Sequence, residues 1–115
     1  MRNATAIALL VLVGAALYFP AVSIPFQYDD YPHFLWNQRI LHPQSILDVF
    51  RNGMQETRPV YNLSLAVQAF LFGSNAMAAH AVNLALFLSC GVLFFLFLFR
   101  LTGNSSLTML ATLMF

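Results

Sequence analysis

The sequence predicts an all-α integral membrane protein, with two full transmembrane helices, the start of a third, and a helical external loop between the first two. Three observations carry that expectation. Of 115 residues, 60% are hydrophobic and 8% charged, against the roughly 25% charged share of soluble domains, so a water-soluble fold of this length would lack polar surface. All four acids (Asp29, Asp30, Asp48, Glu56) and three of the five arginines (Arg39, Arg51, Arg58) fall between positions 29 and 58. The rest of the chain is dominated by apolar runs of bilayer-crossing length.

The first run, Ala4 to Ile24, is 21 residues without a charge, and about 20 residues cross the ~30 Å hydrocarbon core. Arg2 ahead of it and Ala21-Val22-Ser23 behind it also resemble a secretory signal with a small-residue cleavage site. Pro20, beside that site, disfavours cleavage, so the segment reads as a retained anchor.

Positions 25–75 are broken by prolines, amides and charges and are expected outside the bilayer core. Two short helices are expected there. The first spans about 43–52: proline is tolerated in a first turn, Gly53 can terminate, and Ile46, Leu47, Phe50 and Met54 share one face, with Asp48 and Arg51 opposite. It suits either a helix lying on the membrane surface or an ordinary amphipathic helix packed on its neighbours. The second spans about 58–72, with Thr57 as N-cap and Gly73 after its end. Leu63, Leu65, Ala66, Val67, Phe70, Leu71 and Phe72 cover most of its circumference, yet about 14 residues rise only ~21 Å, so a buried or re-entrant helix is expected.

Ser74 or Asn75 then caps the clearest span, about 76–99, whose 24 residues carry no formal charge and end at Arg100. After the turn Thr102-Gly103-Asn104-Ser105-Ser106, positions 107–115 open a third apolar segment. Nine residues cannot cross a bilayer, so the chain is expected to continue. Arg2 and Arg100 flank the two spans on one side without an acid, and the positive-inside bias puts those ends, including the N-terminus, in the cytoplasm. A bacterial plasma membrane is the expected location.

With a net charge of +1 and no lysine, the chain has no basic tract to neutralise several phosphates, which excludes nucleic acid as a partner. Cys90 lies inside an apolar run and reads as a small packing residue. His33, His42 and His80 show no zinc-site spacing. Asn3-Ala4-Thr5, Asn62-Leu63-Ser64 and Asn104-Ser105-Ser106 match the glycosylation acceptor pattern, which at membrane boundaries carries little information.

The residues that can carry chemistry begin with Asp29 and Asp30, set among Phe26, Tyr28, Tyr31 and Phe34. Adjacent carboxylates among aromatics at a membrane surface are costly to desolvate together, which invites a functional explanation. One can act as a general base for a hydroxyl, or both can hold a divalent cation such as Mg or Mn; capping of a helix accounts for them equally simply. His80 and Asn83, at i and i+3, project from one face of the second span and can approach the acidic pair or hydrogen-bond to neighbouring helices. Arg58, before Pro59, can pair with Glu56, an Asp or a phosphate, or anchor at the headgroups. Tyr28, Tyr31 and Trp36 fit an interfacial aromatic belt.

The order of these features is more specific than any one of them: a span, Asp-Asp, an amphipathic helix, Arg-Pro, a short apolar helix, Phe-Gly, then His-x-x-Asn opening a second span. In that order the chain resembles the N-terminal part of the GT-C superfamily of multispanning glycosyltransferases. Within it, the sequence is most similar to the tetratricopeptide-repeat-associated branch that includes protein O-mannosyltransferases. The likeness lies in Phe26 to Asn37 and in Arg58-Pro59-Val60-Tyr61-Asn62-Leu63-Ser64-Leu65 through Leu71-Phe72-Gly73 to His80-Ala81-Val82-Asn83-Leu84. It covers about positions 5 to 115, the first third or less of such an enzyme. Phe87 departs from the pattern, since relatives often place a histidine there.

The resemblance implies inverting transfer of a sugar from a polyprenyl-phosphate donor to an acceptor hydroxyl, on a protein or glycan, outside the cytoplasm. Asp29 or Asp30 would be the base, and Arg58, His80 and Asn83 would bind substrate, with the main phosphate ligands in later helices. Such a fragment would be inactive alone. The alternative is a small noncatalytic membrane protein or complex subunit in which the Asp pair caps a helix.

Overall fold

The computed structural model describes residues 3–42, 45–55 and 57–114, with backbone alone over 52–55. Arg2, the expected helix start at Pro43, the Met54 side chain, Glu56 and Phe115 lie outside the described residues. The described residues are helical without strands, and they form two compact units, positions 24–79 and the flanking 1–23 with 80–115.

In the flanking unit, α1 (Asn3–Tyr18) tightens into a 3-10 turn, Phe19–Ser23. Pro20 has no N–H to give the α ladder, which explains the change of winding, and the Ser23 hydroxyl closes the turn by donating to the Pro20 carbonyl at 2.9 Å. The second long helix, labelled α5 in chain order, is Ala76–Thr102. Asn75, rather than Ser74, caps it, its Oδ1 accepting from the Ala78 N–H at 3.2 Å. It runs three residues past the expected end at Phe99, because Arg100 suits the negative end of a helix. The first residue that stops it is Gly103, at φ 65 with its N–H donating to the Phe99 carbonyl. The last helix, α6 (Ser105–Leu113), begins two residues before Leu107 because Asn104 Oδ1 accepts from both Ser106 and Leu107 N–H at 3.1 Å.

Close approach in this unit depends on small residues. A Cβ on Gly14 would stand 2.6 Å from Leu88 Cδ2, and one on Gly91 would stand 3.4 Å from Leu10 Cδ2. Helix α6 packs on α1, and its buried Thr108 and Thr112 hydroxyls donate to the Asn104 and Thr108 carbonyls of their own helix. Asn3–Ser23 and Ala76–Thr102 are long and apolar enough to cross a membrane. Only 17% and 11% of their apolar windows are buried within the chain, so neither is enclosed as the core helix of a soluble domain is. Cys90, expected to pack, is exposed on α5 instead.

The central unit is built from a π-helical turn (Tyr31–Leu35), α2 (Gln38–Leu41), α3 (Ile46–Gln55) and α4 (Pro59–Phe72). Its core is Phe34, Ile40, Val49, Ala66 and Ala69, with Phe26, Leu35, Leu41 and Leu65 packed against it. Helix α3 starts at Ile46 because Ser45 caps it: Ser45 Oγ accepts from the Asp48 N–H at 3.1 Å and donates to Asp48 Oδ2 at 2.7 Å. Gly53 does not end it, since a single glycine costs a helix only about 1 kcal/mol and the chain turns later, at Thr57 with φ 60. Thr57 is not the N-cap of α4. Pro59 is pre-organised for the first helical position, which puts the cap at Arg58 without a side-chain capping bond.

Of the two expectations for α4, buried or re-entrant, its side chains do not follow the first. It buries its small and amide residues, Asn62, Ala66, Gln68 and Ala69, and leaves Val60, Val67, Phe70, Leu71 and Phe72 exposed. The core accepts alanine because α2 and α3 both press against α4, and the large side chains are left on the outside. Of the acceptor tripeptides, Asn62 is buried and Asn104 is spent as a cap.

Candidate functional site

Asp29 and Asp30 sit in a turn of unusual backbone. Tyr28 before them has φ 27, uncommon for a residue with a side chain. The Asp30 N–H donates to the Gln27 carbonyl at 2.8 Å, and Asp30 Oδ2 accepts from the Gln27 N–H at 2.9 Å, closing the turn from both sides. Asp30 occupies the N-cap position of the π turn but makes no side-chain capping bond to it. Its carboxylate works backward, on the turn, and not forward as a helix cap. Asp29 is exposed and its carbonyl accepts from the His33 N–H at 3.2 Å.

The π turn follows directly. Pro32 supplies no N–H, and the Trp36 N–H reaches five residues back to the Tyr31 carbonyl at 2.8 Å. Wide turns of this kind are rare and recur at functional sites. Ring pairs brace it: Phe26 lies 5.4 Å from Phe34 and Tyr31 5.6 Å from Trp36. Tyr28 and Trp36 remain exposed, as a belt of interfacial aromatics requires.

Arg58 approaches the same place from the start of α4. It also follows a strained residue, the β-branched Thr57 at φ 60, so both polypeptide segments that carry the charged groups have positive φ immediately upstream. The group they share is Tyr61, one turn into α4. Partial burial holds its phenol above the ordinary value, the Asp30 carboxylate adds to that rise, Arg58 opposes it, and Asp29 raises it least. Asp30, Arg58 and Asp29 thus all lie within electrostatic reach of Tyr61. On the same side of α4, two turns on, lies Gln68, whose buried Oε1 has no hydrogen-bond partner among the described residues.

His80 and Asn83 belong to the other unit. There they line a cavity of about 280 Å³ with Tyr18, Ala21, Val22, Leu84 and Phe87. Phe87 meets Tyr18 edge to face at 5.0 Å and 64°, an apolar closure of the cavity wall.

Tyr61 was not among the residues singled out by sequence. The signal lay in its spacing: a proline at the first helical position puts Arg58 and Tyr61 one turn apart. Among the described residues, no group of three or more His, Cys, Asp or Glu side chains is placed to hold a metal ion. No family model, curated protein or solved structure matches the chain.

Proposed function

We propose that this chain forms the first membrane crossings and the base-bearing external loop of a membrane glycosyltransferase, which moves a sugar from a polyprenyl-phosphate donor to an acceptor hydroxyl on the non-cytoplasmic side. The observation that carries the reading is the closed turn that presents Asp29 and Asp30 in a unit whose two ends run into the two long apolar helices, with both carboxylates and Arg58 in electrostatic reach of Tyr61. Supporting it are the positive-φ residues Tyr28 and Thr57 and the order of motifs from Asp29 to Asn83.

In this reading Asp30 is the base. Its Oδ2 is held by the Gln27 N–H, which fixes the carboxylate and leaves Oδ1 for the acceptor. The hydroxyl proton passes to that oxygen as the acceptor oxygen bonds to the anomeric carbon. The bond from that carbon to the phosphate oxygen breaks, its electron pair leaving on the phosphate. A protonated Tyr61, its phenol biased to stay neutral, can donate a hydrogen bond beside the reacting oxygen, and Arg58 can face the departing charge. His80 and Asn83 would contact substrate through their cavity.

Asp30→Asn is the clean test, because the amide keeps an acceptor for the Gln27 N–H while removing the base. In the full native reading frame it is expected to lower transfer by about 10²- to 10⁴-fold with membrane insertion unchanged, and Asp29→Asn by less. Full activity in both variants overturns the assignment. One observation favours a second reading, a noncatalytic membrane subunit: Asp30 already has a structural use in closing its own turn.

A further inference from the structure

We infer that the exposed apolar surface shared by α3 and α4 is a lipid-binding face, seated in the acyl-chain and headgroup boundary of the bilayer. Helices α3 and α4 enclose a groove of about 280 Å³ lined by Ser45, Ile46, Val49, Leu63, Ala66, Val67 and Phe70. Among its walls only the Ser45 side chain is polar, and none is charged. Around the groove the large apolar residues stand outward: Ile46, Leu47 and Phe50 on α3, Val67, Phe70 and Leu71 on α4, with Phe70 85% exposed. A contiguous apolar surface of this kind marks a binding or membrane surface on a folded unit. Asp48 and Arg51 fall on the opposite side of α3, so the helix has the charged back and apolar front of an interfacial helix.

Chain continuity decides the occupant. The unit is entered directly from Ser23, the last residue of one long apolar helix, and left through Ala79, already inside the other. With both ends tied to the two apolar helices, the unit is held where those helices leave the bilayer, and lipid is the apolar phase nearest to hand. Tyr61 lies roughly half a turn round α4 from Leu63, Val67 and Phe70, so seating that front in lipid leaves the acidic site on the other side of the helix.

The inference rests on the membrane reading above, and the test separates the two. In the whole chain, with Cys90→Ser, single substitutions Phe50→Cys and Phe70→Cys carry a fluorescent label; Asp48→Cys and Leu93→Cys serve as references. The protein is reconstituted in phosphatidylcholine vesicles and exposed to a nitroxide attached to lipid acyl chains, then to aqueous iodide. Positions 50 and 70 are expected to lose emission to the lipid-borne quencher as position 93 does, and position 48 to iodide. Quenching of 93 by lipid with 50 and 70 reached by iodide alone overturns the lipid face and leaves the spans standing. Shielding of 50 and 70 from both quenchers means that protein covers them, a second copy or another segment, and also overturns it. Failure of the lipid quencher at 93 removes the membrane reading and this inference together. Phe70 is so exposed that its substitution does not touch the core, and Leu47→Cys repeats the reading from α3.

Discussion

The two compact units differ in what they bury. The central unit, positions 24–79, encloses a cluster around Phe34, Ile40 and Val49, keeps its exposed apolar residues mainly on α3 and α4, and uses polar side chains in turns and caps. The flanking unit leaves Leu12, Leu17, Leu93, Phe97 and Leu101 outward. Its hydroxyls turn inward on their own helices: Ser89 donates to the Ala85 carbonyl at 2.7 Å and Thr102 to the Leu98 carbonyl at 3.0 Å. A hydroxyl bonded back to its own helix is satisfied without water, as the membrane reading proposed above requires of these helices. The two patterns meet at Ser23 and at the first turn of α5.

The largest effect that can break this contrast is truncation of one ring in each unit. Phe34→Ala, at a buried position, is expected to cost about 3–5 kcal/mol, read as a lower thermal midpoint in micelles and faster proteolysis between Ile24 and Ala79. Phe97→Ala, at an exposed one, should stay within about 0.5 kcal/mol. Equal losses would show that both units bury side chains in the same manner.

Much of this was legible in the chain. Apolar runs gave the long helices, and Ser74-Asn75 marked the start of α5, because a cap is a local interaction within a few residues; the Asn104 cap of α6 was passed over as part of a turn. The beginning of α3 was legible too, but in Ser45-Ile46-Leu47-Asp48, a Ser-x-x-acid capping pattern, more than in Pro43. Helix α2 is short and rests on the Asn37 side chain accepting from the Arg39 N–H, a weaker signal. Tyr61 and the outward face of α4 were harder to read. Periodicity shows that Leu63, Val67 and Phe70 are apolar, but not that alanines 66 and 69 would take the core in their place. The proximity of Tyr61 to Asp30 depends on a tertiary fold that joins residues far apart in sequence.

A smaller effect sharpens the packing side of the comparison. Gly14→Leu drives a branched side chain toward Leu88, whose Cδ2 already stands 2.6 Å from where a Cβ would be, and should cost about 1–3 kcal/mol. Thermal unfolding in micelles measures it. Gly73, with φ 61 and open space around it, answers to backbone conformation instead, so Gly73→Asn should be milder than Gly73→Val. The reverse order would mean that packing governs both glycines.

The smallest expected effect is a titration. With its folded pKa above its unfolded one, Tyr61 adds stability that is complete below the usual phenol range near 10 and fades as pH rises through the raised value. Tyr61→Phe should remove that alkaline fade and the latest-rising phenolate absorbance. Asp30→Asn should move that absorbance step to lower pH, and no movement would separate the carboxylate from the phenol.

The 3-10 winding at Phe19–Ser23 also bears on hydrophobic matching. The 16 α-helical residues of α1 rise about 24 Å, short of a ~30 Å hydrocarbon slab. The five tighter residues add about 10 Å, at 2.0 Å each. The 27 residues of α5 rise about 40 Å and can take up any excess by tilting. On the membrane reading proposed above, the stretch wound tighter at Pro20 sets how thick a bilayer the first helix can match, and a host membrane a few ångströms thicker would strain that helix before the other.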